Sequence, residues 1–205
     1  DLHAIIHNDS PDHRHGYVVA NVMDPEGKPV AHVSTNPVSL SPGTHRTVSV
    51  SVEIENPARW DLQTPQRYSA NVELMVDTKT IDVNWRLFGI REAAFRSDGF
   101  YLNGARVQLH GANRHESMPG FGNALPISLH REDARLFKEC GLNLVRLAHY
   151  PQHTAFLDAC DELGILVYAE IATWKSVKQG PWLAAACRQM KAMVLRDRHH
   201  PSVIL

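Results

Sequence analysis

The segment Thr47-Val48-Ser49-Val50-Ser51-Val52-Glu53-Ile54 alternates strictly, with Val48, Val50, Val52 and Ile54 on one face. That is the period of a half-buried β-strand. The same period recurs before and after it. Gly16 to Val22 runs into the turn cluster Asp24-Pro25-Glu26-Gly27-Lys28-Pro29 and resumes as Val30-Ala31-His32-Val33, which predicts a hairpin. Tyr68 to Leu74 and Thr80 to Leu87 alternate likewise. About six or seven short strands over residues 1–88, with almost no helical period, predict an antiparallel immunoglobulin-like β-sandwich. The stretch from Asn56 to Tyr68 interrupts the pattern. Its anchors Trp60, Pro65 and Tyr68 are expected to plug the end of the sandwich while the prolines hold the crossover extended.

The pattern changes at Phe88-Gly89-Ile90-Arg91-Glu92. A hairpin around Asn103-Gly104 follows, and then strand and helix periods alternate through residues 89–205. Val107 to Gly111 reads as a strand that opens into Ala112-Asn113-Arg114-His115-Glu116. Ser128 is the expected N-cap of a helix from Leu129 to Cys140 that stops at Gly141. Leu144 to Leu147 is a short apolar strand. The next helix places Ala155, Phe156, Ala159, Cys160 and Leu163 on one face and stops at Gly164. Ile165 to Ala169 is a third buried strand ending in Glu170, Gly180-Pro181 opens a third helix, and Val203-Ile204-Leu205 begins a fourth strand. Alternating strand and helix predicts parallel pairing and right-handed crossovers. These are the first three units of a barrel of eight, and the chain looks truncated.

Composition excludes several classes of partner. Hydrophobic residues make up 43% and charged residues 21%, with a formal net charge of -1, so no basic field invites nucleic acid. No apolar run is long enough for a membrane span, and no charged-then-apolar leader pattern is visible in these residues. The expected compartment is the cytoplasm or the periplasm. Cys140, Cys160 and Cys187 are expected to be reduced core thiols. The pairs His13/His15 and His199/His200 lie in polar loop sequence without HExxH or CxxC, so no metal site is expected there.

Candidate chemistry collects where strands end, because a sheet fixes such side chains and a loop exposes them. Arg146 and His149, in Val145-Arg146-Leu147-Ala148-His149-Tyr150-Pro151, sit where a polar ligand would be met. Glu116 and Glu170 follow the first and third strands. Alternate strands lie about 10 Å apart, wide for a catalytic carboxylate pair. Both are therefore expected to support the site: to orient His115, Arg146 or a ligand hydroxyl, or to hold the neighbouring unit. The bland alternative for Glu170 is a buried ion pair with an arginine. Trp174, in the loop after the third strand, is placed equally well for stacking on a ligand ring or for core packing.

Several segments in order resemble glycoside hydrolase family 2, the group that contains β-galactosidases and β-glucuronidases. Asn56-Pro57-x-x-Trp60 with Pro65 and Tyr68 resembles its sandwich crossover, and Phe88-Gly89-Ile90-Arg91-Glu92 its link into the barrel. Gly111-Ala112-Asn113-Arg114-His115-Glu116 resembles its first barrel strand. Arg146-x-x-His149-Tyr150-Pro151 with Cys160-Asp161-Glu162-Leu163-Gly164 resembles its second unit, and Arg196 to Ile204 the approach to its fourth strand. The resemblance covers residues 47–205. It implies an internal fragment of a retaining enzyme that hydrolyses a terminal β-linked sugar, most like a β-galactosidase, with a carbohydrate as its substrate and a homo-oligomeric parent. Such chemistry uses two carboxylates about 5 Å apart. The resemblance places both after Leu205, so no catalytic residue is expected in this chain. It assigns His115 and His149 to sugar hydroxyls or reacting carboxylates, Arg146 to a place beneath the acid/base, and a supporting role to Glu116, Tyr150, Glu170 and Trp174. Metal-binding members carry Glu-x-His after the third strand, where this chain has Ala172-Thr173-Trp174, so neither a metal nor another cofactor is expected. Ser117-Met118-Pro119 after Glu116 also departs from both well-known subfamilies. Two other readings stay open: a carbohydrate-binding or interaction protein without catalysis, and a complete enzyme that uses Glu116 and Glu170.

Overall fold

Asp24 fixes the first hairpin. Its carboxylate accepts the backbone N–H groups of Glu26 and Lys28 at 3.0 and 2.8 Å, while Gly27 supplies the left-handed residue of the turn at φ 81°. The computed structural model describes residues 1–205 and divides them into two units, each taken here by itself. The first holds Asp1–Ala58 and Tyr68–Phe88, the second Arg59–Arg67 and Gly89–Leu205.

The first unit is the immunoglobulin-like sandwich. Its strands are β1 (Leu2–His7), β2 (Arg14–Met23), β3 (Pro29–Ser34), β4 (Val38–Leu40), β5 (His45–Val50), β6 (Tyr68–Val76) and β7 (Lys79–Phe88). One sheet pairs β1 with β5; the other runs β3-β2-β6-β7, with β4 also on β2, and every pairing is antiparallel. Ile6, Val18, Leu40 and Val48 are buried together, with Val72 and Leu74 against them. The alternation expected to reach Ile54 ends as strand at Val50, because its partner β1 ends its register at Leu2↔Val50.

β7 departs more sharply. Antiparallel partners share a face, and Asp82, Asn84 and Arg86 lie opposite Leu74, Val72 and Ala70, on the core side of the sheet. The apolar set Ile81, Val83, Trp85 and Leu87 therefore faces outward and is exposed, so this edge strand is not half-buried in the way its period suggests.

The crossover also behaves differently from expectation. Trp60 and Pro65 belong to the second unit, where Trp60 is fully buried with Phe100, Leu102 and Leu166 and donates its indole N–H to the Asp161 carbonyl at 2.8 Å. The segment is pinned by bridges from Arg59 to Ile90 and from Trp60 to Pro65, and it puts its largest ring where an apolar setting also offers an acceptor. Tyr68 alone of the three anchors stays with the sandwich, stacked on Phe88 at 5.6 Å.

The second unit begins with the antiparallel sheet β8 (Ala93–Arg96), β9 (Gly99–Leu102) and β10 (Ala105–Val107), turned at Asn103-Gly104. Then come β11 (Gly111–Arg114), α1 (Ile127–Glu139), β12 (Leu144–Leu147), α2 (Thr154–Leu163), β13 (Leu166–Tyr168) and α3 (Pro181–Asp197). β11, β12 and β13 pair in parallel and in sequence order, the start of a TIM (β/α)8 barrel. Val203 joins β13 by a parallel bridge to Val167, where a fourth strand would lie.

Alternate positions on these strands do opposite jobs. Val145, Leu147 and Val167 are buried in a cluster with Phe156, Leu157 and Ile165. The level Asn113↔Arg146↔Tyr168 looks the other way. α2 stops at Gly164 in the left-handed region, and a Cβ there would lie 2.6 Å from the Leu62 carbonyl oxygen, so only glycine fits. α1 starts one residue before Ser128, and its N-cap is Pro126 without a side-chain bond. Of the cysteines only Cys160 is buried. Cys140 lies past the last turn of α1, and Cys187 is one residue round the helix from buried Ala186.

Candidate active site

The ends of β12 and β13 bring Arg146, His149 and Glu170 into one cluster. Arg146 Nε donates to Glu170 Oε1, and Nη2 lies 3.2 Å from His149 Nδ1. His149 Nδ1 is 3.1 Å from Glu170 Oε2. This nitrogen either donates to the carboxylate or accepts from the guanidinium; in both cases Nε2 is the nitrogen left for a ligand. Glu170 is thus an ion-pair partner of an arginine, but a partly accessible one that also holds a histidine. Oε1 holds the guanidinium and Oε2 lies beside the imidazole, so the carboxylate is committed to Arg146 and His149.

His115 extends the cluster from the end of β11. Its ring meets His149 edge-on at 5.4 Å and lies 6.1 Å from the ring of Tyr150. The Tyr150 hydroxyl accepts the Glu116 backbone N–H at 3.0 Å, which ties the loop after β11 to the loop after β12. Trp174 closes the other side, with its ring 6.4 Å from that of His149. His115, Arg146, His149, Tyr150, Glu170 and Trp174 therefore form one contiguous set.

Glu116 stands in another network. Its carboxylate accepts the His153 backbone N–H at 2.5 Å, at the N-terminus of α2, where exposed amides and the helix dipole favour a negative charge. It lies 3.9 Å from Arg114 and 3.8 Å from His130. Arg114, 4% exposed, donates to Asp133 and Gln152 and stacks over Phe156 at 4.1 Å. Burial, then the Arg114 charge, holds the His130 imidazole below its ordinary range against the pull of Glu116. Glu116 and Glu170 thus stand in separate networks.

Two residues of the site escaped the sequence reading. Asn113 Oδ1 accepts from Arg146 at 3.4 Å, and the Tyr168 ring lies 5.8 Å from the guanidinium carbon. Each lies on a strand two positions before a recognised residue just beyond its end, Asn113 before His115 and Tyr168 before Glu170. Period-two alternation alone places them on the same face.

His13 and His200, one from each histidine pair, have hydrogen-bond partners, and His200 stands with Asp158 and Asp161 in a group of three side chains of metal-ligating type. His13 bonds Ser39 Oγ at 2.5 Å. His200 Nδ1 bonds Asp161 Oδ2 at 2.6 Å, with Asp158 at 3.9 Å.

Two family models match the chain end to end: "Glycosyl hydrolases family 2" over residues 1–91 and "Glycosyl hydrolases family 2, TIM barrel domain" over residues 93–205. A β-galactosidase of Thermoanaerobacter pseudethanolicus is 36% identical over 192 residues, which is 93% of this chain and 25% of that protein. A putative β-glucuronidase of Formosa agariphila is 35% identical over 191 residues, covering 92% of this chain and 22% of that protein. Among solved structures, a Bacteroides uniformis β-glucuronidase superposes with a TM-score of 0.92 at 29% identity, over 98% of this chain and 24% of that one. The chain spans about a quarter of the length of these relatives.

Proposed function

The chain belongs to the glycosyl hydrolases family 2, and from that premise we propose that it carries part of the sugar pocket of a retaining β-glycosidase. The observation behind this reading is the Glu170–Arg146–His149 cluster at the C-terminal ends of adjacent barrel strands, with His115 beside it. That end of a barrel is where active sites are built.

In this proposal His149 Nε2 and His115 bond hydroxyls of the terminal sugar. Glu170 holds the Arg146 guanidinium and the His149 ring in place. The acid/base and the nucleophile come from barrel strands other than those described here, since no pair of free carboxylates faces this cluster. The acid protonates the glycosidic oxygen as the nucleophile attacks the anomeric carbon. Water, deprotonated by the same residue, then releases the sugar with retention.

The preferred substrate in this reading is a β-galactoside. A uronic acid needs a cation to offset its carboxylate, and the Arg146 charge is already balanced by Glu170. The β-galactosidase relatives at 36% identity agree with this choice, and the β-glucuronidase relative at 35% makes the glucuronide the competing substrate. The test is to express the complete open reading frame and compare hydrolysis of p-nitrophenyl β-D-galactoside and β-D-glucuronide, with the anomer released followed by NMR. The expected result is faster turnover of the galactoside with β-galactose as first product. Faster turnover of the glucuronide overturns the substrate choice, and binding without turnover of any β-glycoside overturns the enzymatic reading.

A further inference from the structure

Trp174 is a large apolar side chain in an unfavourable place twice over. The residue is 69% exposed, and its backbone sits at φ 42°, a left-handed conformation that costs a residue with a Cβ. The loop that carries it starts just after Glu170, and the ring still reaches His149 at 6.4 Å. Lys175 places its ammonium 4.9 Å from the indole centroid, which fixes the ring from one side.

Exposure grades outward through this cluster. The Glu170 side chain is 14% exposed and that of His149 30%, while Trp174 is 69% exposed. A group held at the level of Glu170 and His149 therefore lies deep, and one resting on the indole lies at the rim. In hydrolysis of a terminal sugar the sugar occupies the deep position and the leaving group points outward. The loop after β11 adds exposed Phe121 at the same end of the strands.

We propose that Trp174 is the acceptor-side platform of this site: its open face stacks on the ring of the leaving group, a sugar or an aryl aglycone. This rests on the β-glycosidase reading above. The strained backbone turns the indole outward beside His149, and Lys175 limits its motion, so little conformational freedom is lost when a ring docks.

The test uses the complete open reading frame and two substrates that share the donor sugar, a p-nitrophenyl β-glycoside and the matching β-glycosyl fluoride. Only the first has a ring to stack. Trp174→Ala should lower the ratio of kcat/KM for the aryl substrate to that for the fluoride by roughly three- to tenfold, and Trp174→Phe should restore much of it. An unchanged ratio, with both substrates affected equally or neither affected, overturns the proposal. A second measurement stands without turnover. Phenyl and methyl β-thioglycosides are titrated against the wild type and Trp174→Phe, and the difference in indole fluorescence is followed. A phenyl-specific change that disappears in the variant supports the platform even if the glycosidase reading fails; equal responses to both thioglycosides overturn it.

Discussion

Glu116 and Glu170 occupy equivalent places in the barrel unit, each just beyond a parallel strand, yet they are put to opposite uses. Glu116 is joined to the N-terminus of α2 and to the buried Arg114–His130 group, so its charge serves the packing of one βα unit on the next. Glu170 faces the open side of the strands and holds Arg146 and His149. The difference follows from period two in a strand. Arg114 and Leu147 share a register level on the helix side, while Asn113 and Arg146 share one on the other side. A carboxylate that meets Arg114 becomes structural, and one that meets Arg146 is left beside solvent and ligand.

Arg114→Met gives the largest effect expected of this contrast. It strips Asp133, Gln152 and Glu116 of their shared cation within a buried setting, and about 3 kcal/mol of stability should be lost. Urea unfolding measures it; a loss under about 1 kcal/mol would show that the network is dispensable. Glu170→Gln should do the reverse. It keeps the shape but removes the charge that holds Arg146 and His149, and in the protein expressed from the complete open reading frame roughly 100-fold in kcat/KM for the proposed β-glycoside should disappear through misplacement of the site. Its unfolding midpoint should hardly move. A stable protein with unaltered turnover would place Glu170 outside the site. Glu116→Gln should cost about 1–2 kcal/mol through the weakened helix-terminal contact, with a loss of turnover well below that of Glu170→Gln. Equal losses in the two variants would erase the distinction.

The sequence made part of this contrast readable. Short apolar strands bounded by glycines gave the parallel order, and the residues just past them gave His115, Arg146, His149 and Glu170. What it could not give was the partner of each charge. Glu116 and Glu170 look alike in a linear pattern, because the choice between them is made by Arg114 and by the amides of α2, residues 2 and 37 positions away in the case of Glu116. Trp60 shows the same limit. Its burial depends on Phe100, Leu102 and Leu166 and on a carbonyl 101 residues away, and no local period reports such a partner. β7 fails differently: its alternation is real, but alternation cannot say which face the rest of the sheet turns inward.

A third carboxylate, Asp161, sharpens the comparison by pH. It bonds the His200 imidazole, and its other oxygen accepts the Ser202 N–H, so it ties α2 to the segment that follows α3. Burial alone would pull the His200 pKa down. The hydrogen bond and charge of Asp161, backed by Asp158 and Asp197, outweigh burial and raise it above the ordinary value of 6.5. A histidine raised in the folded state contributes stability in full below its unfolded pKa and loses that contribution as pH rises through the folded one. The second unit should therefore lose stability as pH rises from the ordinary histidine value of 6.5 through the raised folded-state one, and His200→Gln should remove that part of the slope. His130, whose pKa burial and Arg114 lower, acts with the opposite sign and costs stability as pH falls, so the wild-type slope is a balance of the two. The difference between wild type and His200→Gln isolates the Asp161 contact. Cys160, raised by burial, adds its own loss only where thiols ionise in the unfolded chain, above this window. If the His200→Gln slope matches the wild type, the tie between α2 and the residues after α3 is carried by the Ser202 N–H and not by the imidazolium.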